Sequence, residues 1–297
     1  MFLKKIILFG AFFLVFSGWA DQTNAKTILN APYIQQMPQL PRGCEVTSLA
    51  MLLQHAGVKV DKMTLAKQVK KVPFRQNGLY GNPYEGFVGN MYTFTQSGYG
   101  VYYPPIYELA QKYIHDRAVN LSNKDLKTIY QFIDRGAPVW VIVNSKFKKL
   151  PSSEFRIWNT RKGKVAITYR EHSVLITGYD DRYIYINDPL YHRKNRAVNR
   201  KGFEAAWIQM GRQAISYLPK PNWKKELKKG QIGKVTILKP IQLQSKNEAG
   251  QLKFVRMLYP YETYRVYSYS KDNGGMYQVG NNLYVKALQG YVLYETP

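Results

Sequence analysis

The sequence predicts an α+β domain followed by a small all-β domain. Segments with apolar residues at helical spacing crowd the first half of the chain, and β-branched and aromatic runs follow between Pro138 and Tyr217. A Pro-bounded, lysine-rich stretch, Pro219 to Gly230, then precedes short, tyrosine-rich segments separated by turn residues. With 297 residues and 45% hydrophobic content, the chain can bury one sizeable core and a second small one.

Lys4 and Lys5 precede an apolar run from Ile6 to Phe16, and small residues stand at Gly18 and Ala20 and again at Thr23 and Ala25. The pattern predicts a signal peptide over residues 1–25, with an uncleaved anchor as the competing reading. No later segment is apolar enough to span a bilayer, so the mature chain is expected to be secreted, extracellular or cell-wall associated, with no stable membrane span.

The first domain is expected over residues 31–218. Tyr33 to Gln36 reads as an extended entry. Pro41 and Gly43 break regular structure, whereas Val46, Leu49, Ala50 and Leu53 recur at helical spacing, so a helix should begin near Cys44 and stop at Gly57. A second helix is expected over Val58–Val69. Pro73 to Gly100, rich in Gly, Asn, Pro and aromatics, reads as a long ordered loop of the kind that often borders a site. Pro104–Tyr113 and Lys124–Arg135 are amphipathic helices, the latter after a cap region at Ser122–Asp125. Pro138–Val143 reads as a central strand, followed by strands at Val165–Tyr169, His172–Gly178 and Tyr183–Asn187, a helix at Phe203–Met210 and a strand at Ala214–Tyr217. Residues 219–232 read as a basic linker. In the second domain, 233–297, strands are expected at Val235–Leu238, Tyr264–Tyr269, Met276–Val279, Tyr284–Ala287 and Tyr291–Tyr294, enough for a small barrel or meander.

The formal charge of +24 favours polyanionic partners. With export expected, these are anionic cell-wall polymers or lipid head groups, not nucleic acid. Cys44 is the single cysteine, which excludes an internal disulfide and a Cys-rich metal site; no cofactor and no metal are expected. A thiol at a helix start sits at the positive end of the macrodipole, so its pKa is expected to fall toward the nucleophilic thiolate.

A cysteine nucleophile needs an imidazole to take its proton and a third group to orient that ring. Of the four histidines, His55 is eleven residues along the same helix, His115 follows a helix, and His192 lies in a basic polar stretch. His172 begins a strand. With a three-residue loop at Tyr179–Asp181, 178 pairs with 182 and 172 with 188, which sets His172 opposite Asp188 on a face shared with Val174, Ile176, Ile184 and Ile186. Asn187 is the alternative orienter, though on this register it faces away.

Pro32 through Leu53 around Cys44, the Gly-Phe-Val-Gly89-Asn loop, and Glu171-His172-Ser-Val-Leu-Ile-Thr-Gly-Tyr-Asp with Ile186-Asn-Asp188-Pro together resemble the stand-alone peptidase C39-like family of secreted bacterial proteins. The resemblance covers roughly Tyr33 to Tyr217. It implies a papain-like cysteine peptidase fold with Cys44 as nucleophile, His172 as general base and Asp188 as its orienter. It further implies a glutamine upstream of the cysteine as oxyanion donor, mapped to Gln36 with Gln35 and Gln39 as competitors; the Cys44 backbone N–H can be the second donor. Relatives that trim leader peptides carry an acidic residue before the cysteine and Gly after it and are fused to exporters. Here Gly43 precedes and Glu45 follows, so leader cleavage is not carried over. The C-terminal segment looks like a bacterial SH3-like domain whose tyrosines either line a wall-binding groove or fill the core and rim of a small barrel. The expected activity is that of a secreted thiol hydrolase acting on a peptide or protein substrate, peptidoglycan peptides among the candidates. The alternative is a non-catalytic cell-wall or peptide-binding protein on the same fold.

Overall fold

The structure is a computed structural model that describes residues 27–297. The expected signal peptide lies outside the described residues. With 23% helix and 34% strand, the chain is mixed α+β. Among the described residues no helix is long and apolar enough to cross a membrane.

The larger core is built on an antiparallel sheet. Its strands run in the order Arg196–Asn199, Tyr183–Asn187, Glu171–Tyr179, Val139–Asn144, Ala214–Tyr217 and Ala118–Asn120, and Thr27–Ile28 pairs with the far end of Glu171–Tyr179. Val139–Asn144 is buried along its whole length, as its unbroken apolar run requires of a strand covered on both faces. The Cys44–His55 helix packs on this sheet and buries every residue from Cys44 to Leu53. Two polar bonds fix it there: Ser48 Oγ donates to the Ser173 carbonyl (3.1 Å), and the Trp140 indole donates to the Glu45 carbonyl (3.0 Å).

Helix boundaries follow side-chain capping. The second helix is Lys62–Gln68, shorter than expected, because Asp61 accepts from the Thr64 N–H and leaves Val58–Val60 outside. Asp125 caps Leu126–Asp134 in the same way through Thr128, and Tyr103–Ile114 begins with prolines in its first turn. The last helix of the large core, Arg200–Gln209, starts three residues earlier than periodicity suggests because Asn199 caps it through Gly202. The stretch from Pro73 to Gly100 is largely irregular, pinned by two short pairings, 71–72 with 87–88 and 75–76 with 79–80. Arg156–Thr160 and Gly163–Ile167 form a hairpin whose first strand the sequence did not signal.

The hairpin carrying His172 departs from the expected register. Leu175 pairs with Asn187 and Ile176 with Ile186, while beyond a bulge at Thr177 the partners are Gly178 with Tyr185 and Tyr179 with Ile184. The turn comes one residue later than expected because the Asp180 side chain accepts from the N–H groups of Arg182 and Tyr183. The ladder is thus offset by two residues from the pairing of 172 with 188. An even offset preserves the side-chain face, so Asp188 still shares the face of His172 but reaches it diagonally.

Beyond Tyr217, the expected linker contains a helical turn at Trp223–Glu226. The C-terminal region has eight strands among the described residues, not five, and they form two sheets and no closed barrel. Thr263–Val266, Gly233–Ile237 and Val292–Glu295 make one, and Leu252–Leu258, Ile241–Lys246, Leu283–Lys286, Met276–Gly280 and Ser268–Ser270 the other. Val235, Ile237, Leu243, Leu258, Val266 and Val285 fill their shared core. Tyr261 reaches out of it to pack edge-on against Phe132, with ring centres 5.0 Å apart, and Arg117 pairs with Glu295.

Candidate active site

Gly43 starts the Cys44 helix without any side-chain cap. A side chain there would collide with Leu40, so the backbone turns tightly and delivers Cys44 at the first helical position. Cys44 lines a cleft of about 320 Å³ together with Gln36, Arg42, Tyr99, Tyr169, Glu171 and His172. The helix and the adjacent strand therefore bring Cys44 and His172 to the wall of one cavity. His55 is remote from it: its Nδ1 meets the Tyr217 hydroxyl at 2.7 Å. His192 is exposed and stacks beside Tyr191.

His172 is buried, and its Nε2 lies 2.8 Å from Asp188 Oδ1. That bond occupies Nε2 and leaves Nδ1 as the nitrogen able to exchange a proton with a thiol. Asp188 is held on three sides: its Oδ1 also accepts from the Leu190 N–H, and its Oδ2 accepts from Arg196 at 2.8 Å. Burial pushes this carboxyl up, but the bond to His172 and the nearby positive charges outweigh it, and its pKa ends below the ordinary carboxylate value. Asn187, the alternative orienter, faces the other way, donating to the Ala31 and Pro32 carbonyls and accepting from the Asn195 N–H.

Of the three candidate glutamines, Gln35 and Gln39 are exposed, and Gln39 accepts from Lys62. Gln36 is buried in the cleft wall. Its Nε2 donates to the carbonyls of Leu40 (3.1 Å) and Pro41 (3.0 Å), while its Oε1 is buried without a partner. The amide therefore braces the turn that leads into Cys44, with its donor face committed to that turn.

The expected depression of the thiol pKa is overturned. Burial, then the nearby carboxyls of Glu45 and Glu171, push the Cys44 thiol well above its ordinary value, and a backbone hydrogen bond from Ser173 opposes them only weakly. Glu45 is wholly buried, with Oε2 3.4 Å from the sulfur and Oε1 accepting from the Val101 N–H at 2.7 Å. Burial lifts its carboxyl to about 7, and burial, then Glu45, pushes that of Glu171 well above its ordinary value. The helix macrodipole, equivalent to about half a charge, loses to two carboxyl groups and the loss of solvent.

Sequence reasoning missed three residues here. Glu45 was legible as the one charged residue along the buried length of its helix. Glu171 and Arg196 gave no pattern signal. Arg196 is placed by its strand beside Tyr183–Asn187, with its guanidinium 4.5 Å from the Tyr191 ring centre and 5.0 Å from that of Phe147.

Residues 28–215 match the Peptidase_C39 like family, a span that leaves the two C-terminal sheets outside the match. The chain is 50% identical over 179 residues to the uncharacterized protein YvpB of Bacillus subtilis (strain 168), which takes in 60% of this chain and 70% of that protein. It is also similar to the crystal structure of a Bacillus anthracis protein assigned as a C39-like peptidase, at 52% identity and a TM-score of 0.66, covering 67% of this chain and 100% of that one. The chain belongs to the Peptidase_C39-like family.

Proposed function

We propose that the protein is a cysteine peptidase that hydrolyses peptide bonds through Cys44, His172 and Asp188. The observation that carries this reading is the buried 2.8 Å contact between His172 Nε2 and Asp188 Oδ1, with His172 and Cys44 lining the same cleft. Because the resting thiol is held protonated, His172 Nδ1 removes the proton as the sulfur attacks the carbonyl carbon, so no ready-made ion pair is required. The oxyanion meets the Cys44 backbone N–H, and the Gln36 amide joins it by releasing one of the two carbonyls it now bonds; such donors contribute roughly 3 kcal/mol each. The imidazolium returns its proton to the leaving amine and a thioester remains. Water, deprotonated by the same imidazole, then cleaves the thioester to a carboxylic acid and restores the thiol. Asp188 keeps the ring oriented and stabilises its charged form.

Turnover of a peptide library by wild type and by Cys44→Ala tests this, and equal rates remove it. The high thiol pKa favours a second reading, a peptide-binding protein that kept the fold; slow wild-type turnover with tight retention of library peptides would select it. The export signal expected over residues 1–25 and the net charge of +24 support a location at or beyond the cell wall. In the C-terminal region, Lys239 stacks over Tyr291 and Lys246 over Tyr284, surface pairs suited to an anionic wall polymer on an SH3-like domain.

A further inference from the structure

The Cys44 side of the cleft holds more acid than the proposed reaction uses. One donor atom each from Cys44, Glu45 and Glu171 lie within 4.8 Å of one another. The two carboxyls converge where Gly100 has no side chain: a Cβ there would stand 2.6 Å from Glu45 Oε1 and 2.8 Å from Glu171 Oε2. Glu171 Oε1 is closed off from solvent and has no hydrogen-bond partner. We infer that Glu45 and Glu171 act as one acidic unit that retains a proton while the cleft is empty, and that Glu171 is a positioning residue that sets, through Glu45, how readily Cys44 gives up its proton.

The surroundings leave few other sources of charge. From the segment ahead of the helix, Arg42 donates to the carbonyls of Asn90 and Thr93 and stacks on Phe94. From the 99–102 segment, the Tyr99 and Tyr102 hydroxyls bond each other at 2.9 Å, and burial pushes both phenols up, so they stay neutral. From the sheet, His172 is committed to Asp188, and Asp188 to His172 and Arg196. No cation among these bonds either glutamate. Two carboxylates this close and this dry cannot both ionise without a large penalty, and the first to ionise puts negative charge beside the sulfur. The high pKa of Glu45, about 7, fits that arrangement.

The inference rests on Cys44 being the nucleophile only for its use in catalysis; the reactivity of the thiol is measurable without any substrate. The test is the alkylation rate of Cys44 by iodoacetamide as a function of pH, read by intact mass on the reduced full chain. In wild type the rate should stay low until the pH passes that of an ordinary thiol. Glu171→Gln, which keeps the shape and removes the charge, should move the curve to lower pH and raise the rate near neutrality roughly tenfold, the equivalent of about one pKa unit. Glu171→Asp should restore the wild-type curve, a rescue that a merely structural role would not predict when both variants melt alike. Glu45→Gln, whose amide oxygen can keep the Val101 bond, gives a second reading in the same direction should Glu171→Gln fold poorly. Superposable curves for wild type and the glutamine variants overturn the inference, as does Glu171→Asp matching Glu171→Gln. Loss of peptidase activity as a property of the protein would leave these curves unchanged, so the two ideas fail separately.

Discussion

The two walls of the cleft solve the burial of charge in opposite ways. On the His172 side, imidazole, carboxylate and guanidinium alternate in sign, with contacts of 2.8 Å at both junctions and Arg196 at the solvent edge. On the Cys44 side, thiol and two carboxyls all become negative on ionising, and burial therefore raises the pKa of each. The same loss of solvent has opposite consequences because one wall supplies partners of unlike charge and the other does not. The wall with partners is built to hold an imidazolium. The wall without them is built to withhold a thiolate until something else in the cleft calls for it.

The largest expected effect comes from removing the centre of the paired wall. Asp188→Asn should leave the fold intact but lower kcat by about 10³ to 10⁴, as loss of the orienting carboxylate does in related triads, measured on any peptide that wild type cleaves. A wild-type rate would show that the two walls do not differ in function.

Next is the acidic wall, through pH. Glu45 has an ordinary pKa of 4.5 when unfolded and one of about 7 when folded. Below pH 4.5 both states hold the proton and the carboxyl is neutral in its effect. Between pH 4.5 and 7 only the folded state holds it, so its contribution to stability falls as pH rises, and above 7 the loss levels off. Glu45→Gln should therefore match wild type in acid and gain on the order of 2 kcal/mol by pH 7, in urea melts at both ends of that range. A constant difference across the range would mean that the carboxyl is not held protonated.

Gly100→Ala should destabilise by about 1–3 kcal/mol, since its methyl group would press on both carboxyls at contact distances under 3 Å. The cost should shrink when Glu171→Ala is added, and an additive double mutant would place the strain elsewhere. The smallest effect is expected for Arg196→Met, which keeps an apolar stem between Tyr191 and Phe147 but loses the Asp188 bond. With its side chain one-third exposed, a stability loss of about 1–2 kcal/mol and a several-fold lower kcat are expected, measured by urea melts and initial rates.

Much of the frame was legible because short-range rules dominate it. The Cys44 helix, the buried strand after Pro138 and the Tyr183–Asn187 and Ala214–Tyr217 strands follow from periodicity and breakers alone. The meeting of His172 with Asp188 was legible through strand parity although the register was off by two, since an even error leaves every side chain on its own face. What escaped depended on neighbours far apart in the chain. Arg196 reaches Asp188 through a strand pairing that no local pattern announces, and Glu45 meets Glu171 only after the helix settles on the sheet. The thiol pKa went astray for the same reason: the macrodipole is visible in the sequence, whereas the carboxyls and the depth of burial are not. In the C-terminal region, Ile241–Lys246 ends in Gln, Ser and Lys, and Leu252–Leu258 is apolar in sequence yet largely exposed, so both are held by pairing more than by a buried face.

The bulge at Thr177 gives this architecture one more property. The threonine is skipped by the ladder yet anchored by its hydroxyl to the Tyr185 carbonyl and the Asn195 side chain, so it works as an expansion joint between the turn and the histidine. The irregularity is taken up there, and the pairing of Glu171 through Ile176 with Asn144 through Val139 runs unbroken past the imidazole.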